Sequence, residues 1–315
     1  MELKEKTEIE DPLVSIIVIT YNSAKYVLET LESAKAQSYQ NIELIVSDDC
    51  STDDTVEICR DWIKENEERF VRTELITAEM NTGIGNNCNR ALHRTNGTWI
   101  KLIAGDDVLK NNCIKDNIDF LSKNHECNFI FSRYLSFDSE TKENINIIPQ
   151  NNFYLPDSLD SQIESLLIKN YISTPTVFIN KTVLNAIDGF SSEYKYLEDY
   201  PTFLKLLLNG VKAYYIPRIT VLYRISGTSL SNYKGQTTFL NKKWIESYKL
   251  FFQNDLSREL KKKQMYIILF LKKSDLILSI ILSRKQNSSL IMLIKILEKI
   301  IHRSLIFSQN KLHKK

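Results

Sequence analysis

An α/β fold, with a mostly parallel sheet flanked by helices, is predicted by three features of the sequence. Short apolar runs rich in Val, Ile and Leu recur between Val14 and Ala104, each with the length of a strand rather than of a buried helix. Amphipathic stretches separate them at the spacing of βαβ crossovers. The runs also end in polar clusters. Strands covered on both faces by crossover helices read as continuous apolar runs, whereas half-exposed strands alternate.

The first strand is Val14 to Thr20, followed by Tyr21-Asn22-Ser23 and a helix from about Ala24 to Ala36. A second strand, Ile42 to Val46, runs into Ser47-Asp48-Asp49. Ser51-Thr52-Asp53-Asp54 then supplies side chains suited to starting the next helix. The third unit runs from about Val71 to Thr77 and passes through Asn81-Thr82-Gly83-Ile84-Gly85 into a helix toward Arg94. A fourth strand starts at Trp99 and stops at Gly105-Asp106-Asp107. Beyond it, about 144–159 lacks periodicity and reads as a loop, with a helix expected near 160–168 and a strand over 174–179. The apolar residues between Phe203 and Leu208 predict a further helix that stops at Gly210.

Ligands of such sheets bind beyond the carboxyl ends of the strands, where Tyr21, Asp49 and Asp106-Asp107 all fall. Two adjacent carboxylates at the end of a buried strand must stay hydrated or meet a cation. A hard divalent ion answers this, because Mg²⁺ or Mn²⁺ takes one or two carboxylates and completes its shell with substrate phosphates. A plain Asp-Asp turn is the structural alternative. Glu198-Asp199, at the head of the helix over 203–208, can supply a general base for a hydroxyl nucleophile. They also suit the positive end of a helix dipole.

In their order and spacing, Val14 to Asn22, Asp48-Asp49-Cys50-Ser51-Thr52-Asp53, Asn81-Thr82-Gly83 and Gly105-Asp106-Asp107 resemble the successive motifs of the inverting family-two glycosyltransferases. Asp188-Gly189-Phe190, Glu198-Asp199-Tyr200 and Tyr223-Arg224 with Ser229 and Ser231 extend the resemblance over about 12–235. It implies a GT-A fold, a nucleotide-sugar donor, UDP-linked by family tendency with a GDP- or dTDP-sugar as the alternative, a divalent Mn²⁺ or Mg²⁺, and inversion at the anomeric carbon. By the same resemblance Tyr21 flanks the donor's base and Asp49 accepts from its ring nitrogen, with Thr20, Asn22, Asn81 and Gly83 completing the donor side. Asp107 holds the metal, and Asp106 stands beside it on metal, ribose or sugar. Asp199 is the base and Glu198 positions the acceptor, while Arg224, Ser226 and Ser229 are candidate contacts to diphosphate or acceptor.

The chain departs from that pattern at Ala104, where many relatives carry another acid, and at Ser226, where many carry a His near the metal. Cys88 stands where an Arg is common, so that a basic contact to the donor is either absent or supplied by Arg90 or Arg94. These departures motivate an alternative, a catalytically degenerate nucleotide-sugar-binding or membrane-recruitment subunit. Other classes lack their signatures, with no Walker loop, no GxGxxG and no His spacing for zinc.

At 315 residues and 43% hydrophobic content the chain can bury one large core and an appendage. The expected division is a catalytic domain over 12–240, with a donor half over about 12–137 and an acceptor half over about 158–235, and a helical extension over 241–315. Charge divides the same way: residues 241–315 hold 17 Lys and Arg against 5 Asp and Glu, or +12, and the rest of the chain is −10. The tail's apolar blocks, Met265 to Leu271, Leu276 to Leu282 and Leu290 to Leu297, are too short to span a bilayer. They suit a basic amphipathic surface on anionic lipid, or a docked helical extension. Five Cys without CxxC spacing predict reduced thiols, and no cleaved leader is expected. The expected setting is cytoplasmic and peripheral to the inner membrane, with a glycan or polyprenyl-linked acceptor of the O-antigen or capsule kind and no nucleic-acid partner.

Overall fold

The computed structural model describes residues 11–226 and 241–282, and the chain divides between Ile225 and Ser226 into two compact units. The first unit opens with the alternation expected from the sequence: β1 (Val14–Thr20), α1 (Val27–Lys35), β2 (Ile42–Asp48), α2 (Thr55–Asn66), β3 (Arg72–Thr77), α3 (Ile84–Leu92) and β4 (Trp99–Ala104). β1 lies between β2 and β4 and is parallel to both, with Ile17 opposite Ile45 and Leu102. Every residue of β2 is buried, which is why its sequence shows no solvent-facing alternation.

The register decides where the loops emerge. Thr20 pairs with Asp48, Asp48 with Thr77, and Ile19 with Ala104. The segments after β1, β2, β3 and β4 therefore leave the sheet along one edge.

β5 (Val108–Leu109), α4 (Cys113–Leu121), β6 (Phe129–Asp138), β7 (Asn144–Ile148), α5 (Leu159–Ile168), β8 (Phe178–Asn180), α6 (Lys181–Asn185), α7 (Asp199–Leu208) and β9 (Tyr214–Ile225) complete the unit. The sheet order is β3-β2-β1-β4-β8-β6-β9-β5, with β7 paired to β6. In this second half only β6 and β9 pair in parallel, while β8, β7 and β5 pair antiparallel.

Two expectations need correction. The expected loop over 144–159 contains β7, whose alternation spans few residues and buries none of them. The expected strand over 174–179 begins instead as a 3-10 turn, Thr174–Thr176, and β8 starts only at Phe178. Pro175 has no N–H to give a ladder and its ring fixes φ, which favours the turn.

Beyond the pairing of β4 with β8, side-chain contacts join the two halves near the site. The Trp99 and Phe178 rings stack with centroids 5.1 Å apart. Asn89 on α3 exchanges two hydrogen bonds with the Phe190 backbone, at 2.7 and 2.8 Å. Gly189 beside it has φ +81°, and a Cβ there would lie 2.4 Å from Asn89 Oδ1, so this close approach requires glycine. Lys101, wholly buried in β4, donates through Nζ to the carbonyls of Pro175 (2.5 Å) and Val177 (3.4 Å).

The second unit is helical over its described residues: α8 (Lys242–Phe251), a π-helical turn (Phe252–Leu256), α9 (Ser257–Lys262) and α10 (Tyr266–Leu282). The helices expected beyond residue 240 thus begin at Lys242, and the apolar block Leu290 to Leu297 lies outside the described residues. α10 leaves Tyr266, Phe270, Lys273, Ile277 and Ile281 exposed along one helical stripe. No described helix is long and apolar enough to cross a membrane.

Candidate active site

The donor rim is built from the loops after β1, β2 and β3. Asn22 takes a left-handed φ of 51°. Its side chain accepts from Thr52 N–H at 2.8 Å and its own N–H donates to Ser51 Oγ at 2.8 Å. Thr20 is buried and donates to Asp48 Oδ1. These two expected donor residues hold the rim together, while Tyr21 projects outward with 51% of its surface exposed, open to stack on a flat ring.

Asp49 is the keystone of the rim. Its carboxylate accepts from Thr82 N–H, Thr82 Oγ1 (2.7 Å), Gly83 N–H (2.8 Å) and Arg90 Nη2 (2.9 Å). Burial would raise its pKa, but the bonds from Arg90, Thr82 and Gly83 together hold it below the ordinary value. Gly83, at φ +91°, lies against Lys195, while Asn81 is half-buried just before it. Of the two arginines expected to stand in for the Arg replaced by Cys88, Arg90 takes the Asp49 position and Arg94 pairs with Glu74.

The Asp106-Asp107 turn behaves differently. Asp107 is buried, its Oδ1 accepts from Arg224 N–H at 2.8 Å and its carbonyl accepts from Thr30 Oγ1 at 2.7 Å. Burial first, and then the neighbouring Asp106 charge, push its pKa well above the ordinary carboxylate value. Burial likewise raises Asp106, against the pull of Arg224. Paired carboxylates held in this state gain most from a nearby cation, and their oxygen-only donor set fits Mg²⁺ or Mn²⁺ with the remaining sites left to phosphate and water. Among the described residues no group of three or more His, Cys, Asp or Glu gathers as a metal cage. Arg224, a candidate contact to diphosphate or acceptor, is 1% exposed, with its guanidinium against Tyr26, Phe137 and Glu29. Ser226 begins the second unit, and Ser229 lies outside the described residues.

Glu198 and Asp199 stand at the start of α7, with Asp199 as its first residue. Asp199 accepts from Asn170 Nδ2 at 3.0 Å and from Tyr200 N–H at 2.6 Å, while Glu198 Oε1 accepts from Thr174 Oγ1 at 3.3 Å. Burial and then the Asp199 charge push Glu198 up to about 7. Burial also raises Asp199 against its two donors. Adjacent carboxyls raised by burial are suited to general-base work. Cys88 on α3 links the clusters: burial and then the charge of Glu198, with a smaller share from Asp49, raise its thiol pKa.

Sequence reading missed Lys101, Asn170 and Thr174. Lys101 alone carried a signal, a charge inside an apolar strand. It anchors the turn that presents Thr174 to Glu198.

The chain matches the model of glycosyl transferase family 2 over residues 15–184. It is 30% identical over 251 residues, 79% of this chain and 90% of the relative, to the Escherichia coli protein named UDP-Glc:alpha-D-GlcNAc-diphosphoundecaprenol beta-1,3-glucosyltransferase WfgD. It is 29% identical over 224 residues, 71% of this chain and 83% of the relative, to the putative teichuronic acid biosynthesis glycosyltransferase TuaG of Bacillus subtilis. Among solved structures it resembles residues 1–349 of S. aureus TarS, with a TM-score of 0.58 and 22% identity, over 76% of this chain and 64% of that one. The mannosyltransferase PcManGT of Pyrobaculum calidifontis, in complex with GDP-Man and Mn²⁺, gives a TM-score of 0.58 at 14% identity, over 91% of this chain and 80% of that one. Both structural likenesses bear on the fold, a GT-A arrangement of sheet and helices. The chain belongs to glycosyl transferase family 2 and is a glycosyltransferase.

Proposed function

We propose that this glycosyltransferase moves a sugar, with inversion, from a UDP-linked donor to a hydroxyl of a lipid-linked glycan precursor at the inner face of the cytoplasmic membrane. The observation that carries the reaction is the Glu198-Asp199 pair, half-buried at the head of α7, where burial raises both carboxyls and takes Glu198 up to about 7. Asp199, oriented by Asn170 and the Tyr200 N–H, takes the acceptor proton as the new bond forms. Glu198, held by Thr174, orients the acceptor. On the donor side Tyr21 stacks on the base, and the Asp49 loop with Asn81 and Gly83 frames it. Asp106 and Asp107 would hold a divalent ion, which would supply positive charge to the leaving diphosphate.

The donor and acceptor classes draw support from relatives named for UDP-Glc and diphosphoundecaprenol and from a TarS structure in complex with UDP-GlcNAc. The exposed apolar stripe of α10 and the +12 charge of residues 241–315 support the membrane setting.

Thermal shifts with UDP, GDP, dTDP and CMP, each with Mn²⁺ and with EDTA, test the donor reading. Stabilisation by UDP only with metal supports it, and preference for another nucleotide replaces the donor class. Flotation of the full chain on anionic and zwitterionic vesicles tests the membrane setting, which fails if neither vesicle carries the protein.

A further inference from the structure

We propose that Arg224 is a positioning residue, a buried guanidinium clamp that sets the Asp106-Asp107 turn for the metal-bound diphosphate, an inference that rests on the donor reading above. Arg224 ends its reach into the site at two points. Its backbone N–H fixes one oxygen of Asp107 at 2.8 Å, and its Nε donates to the Asp106 carbonyl at 2.6 Å. One residue of β9 therefore holds both members of the turn.

The clamp is itself clamped. The guanidinium lies between the Tyr26 and Phe137 rings, 4.3 and 4.7 Å from their centroids, and Nη2 donates to Glu29 Oε2 at 2.7 Å. A planar cation can stack on two rings while its edge donates in the plane, which a lysine ammonium cannot reproduce. Glu29 and Thr30 both belong to α1, and Thr30 Oγ1 holds the Asp107 carbonyl. The carboxylate turn is thus fixed against a helix on one side and a strand on the other, and the aspartates present a set geometry to an incoming cation. Arg224 Nη1 is buried with no hydrogen-bond partner among the described residues. That costs stability, as expected where a group is kept for placement of its neighbours.

Calorimetric titration of UDP or GDP, whichever the wild type binds more tightly, with Mn²⁺ and with EDTA tests the clamp, alongside titration of the matching nucleoside. Wild type is expected to gain affinity from Mn²⁺. In Arg224→Met and Arg224→Lys that gain falls by about 10–100-fold, the usual cost of losing a partner behind a metal ligand, while nucleoside affinity is retained. Tyr26→Leu, which leaves Arg224 in place but unstacks it, shows a smaller loss and serves if the Arg224 variants do not fold. An unchanged Mn²⁺-dependent gain in the variants overturns the clamp alone. Parallel loss of nucleoside binding also overturns it, since that marks a general structural role. Absence of any Mn²⁺ effect in wild type overturns the donor reading and the clamp with it.

Discussion

Asp49 and Asp107 occupy equivalent places, each just beyond the carboxyl end of a parallel strand and each 2% exposed. Their chemistry is opposite. Four donors from the Asn81-Thr82-Gly83 loop and Arg90 meet Asp49, and its pKa falls. Asp107 has the Arg224 N–H on its carboxylate and Asp106 beside it, and its pKa rises. Surface exposure is the same in both, but desolvation weighs more heavily on Asp107, so deeper burial and poorer partners act together. A satisfied carboxylate builds the rim, and an undersupplied one is where an external cation or proton has most to gain. Glu198 and Asp199 form a second undersupplied pair.

The strongest way to break this contrast is at the second pair. Asp199→Asn is expected to lower turnover by about 10²–10⁴-fold, the range for a lost general base, with donor affinity retained; measuring donor consumption and nucleotide affinity side by side checks both halves of the statement. Full turnover in that variant removes the base assignment.

Asp49→Ala removes the buried carboxylate that Thr82, Gly83 and Arg90 share, leaving Arg90 its bonds to the Asp48 carbonyl, Asn87 and Thr82 but no anionic partner. About 3–5 kcal/mol of stability should be lost in denaturant unfolding, the range for breaking a buried pair. Asp107→Asn, by contrast, should leave the free protein as stable as wild type or more so, because the neutral amide escapes the repulsion of Asp106. Its loss appears instead with ligand present: the stabilisation of about 2.7 kcal/mol expected at 100 times the dissociation constant should vanish. If both variants destabilise the free protein equally, the distinction between satisfied and undersupplied carboxylates fails.

The smallest effect concerns pH. Glu198 titrates at about 7 in the native protein against an ordinary value of 4.5, so between those values the native state binds more proton than the unfolded chain. Its contribution is fully present below pH 4.5 and is lost as pH rises through 7. Melting temperatures from pH 4 to 8 should therefore fall more steeply in wild type than in Glu198→Gln, and parallel curves would return Glu198 to an ordinary surface acid. Turnover should rise over the same limb as the pair gives up its proton.

Much of the fold could be read without coordinates because its signals are local. Val14 to Thr20 and Ile42 to Val46 announce buried strands by composition alone, and strands of that kind force their loops to one edge. The mixed half was less legible. β7 is exposed throughout and β8 has three residues, so neither leaves much periodicity to detect.

The sequence by itself determined the alternation of strand and helix, the family, and the positions of the two carboxylate pairs, since each rests on residues adjacent in the chain. Tertiary structure decided which carboxylates are satisfied and where the buried cations go. Arg224 is a candidate contact in the motif Tyr223-Arg224, and only the fold shows it buried with its N–H on Asp107, 117 residues away in sequence. Lys101 likewise meets Pro175 across 74 residues. Hydrogen bonding and desolvation depend on which distant groups the folded chain brings within about 3 Å, a quantity no local pattern carries.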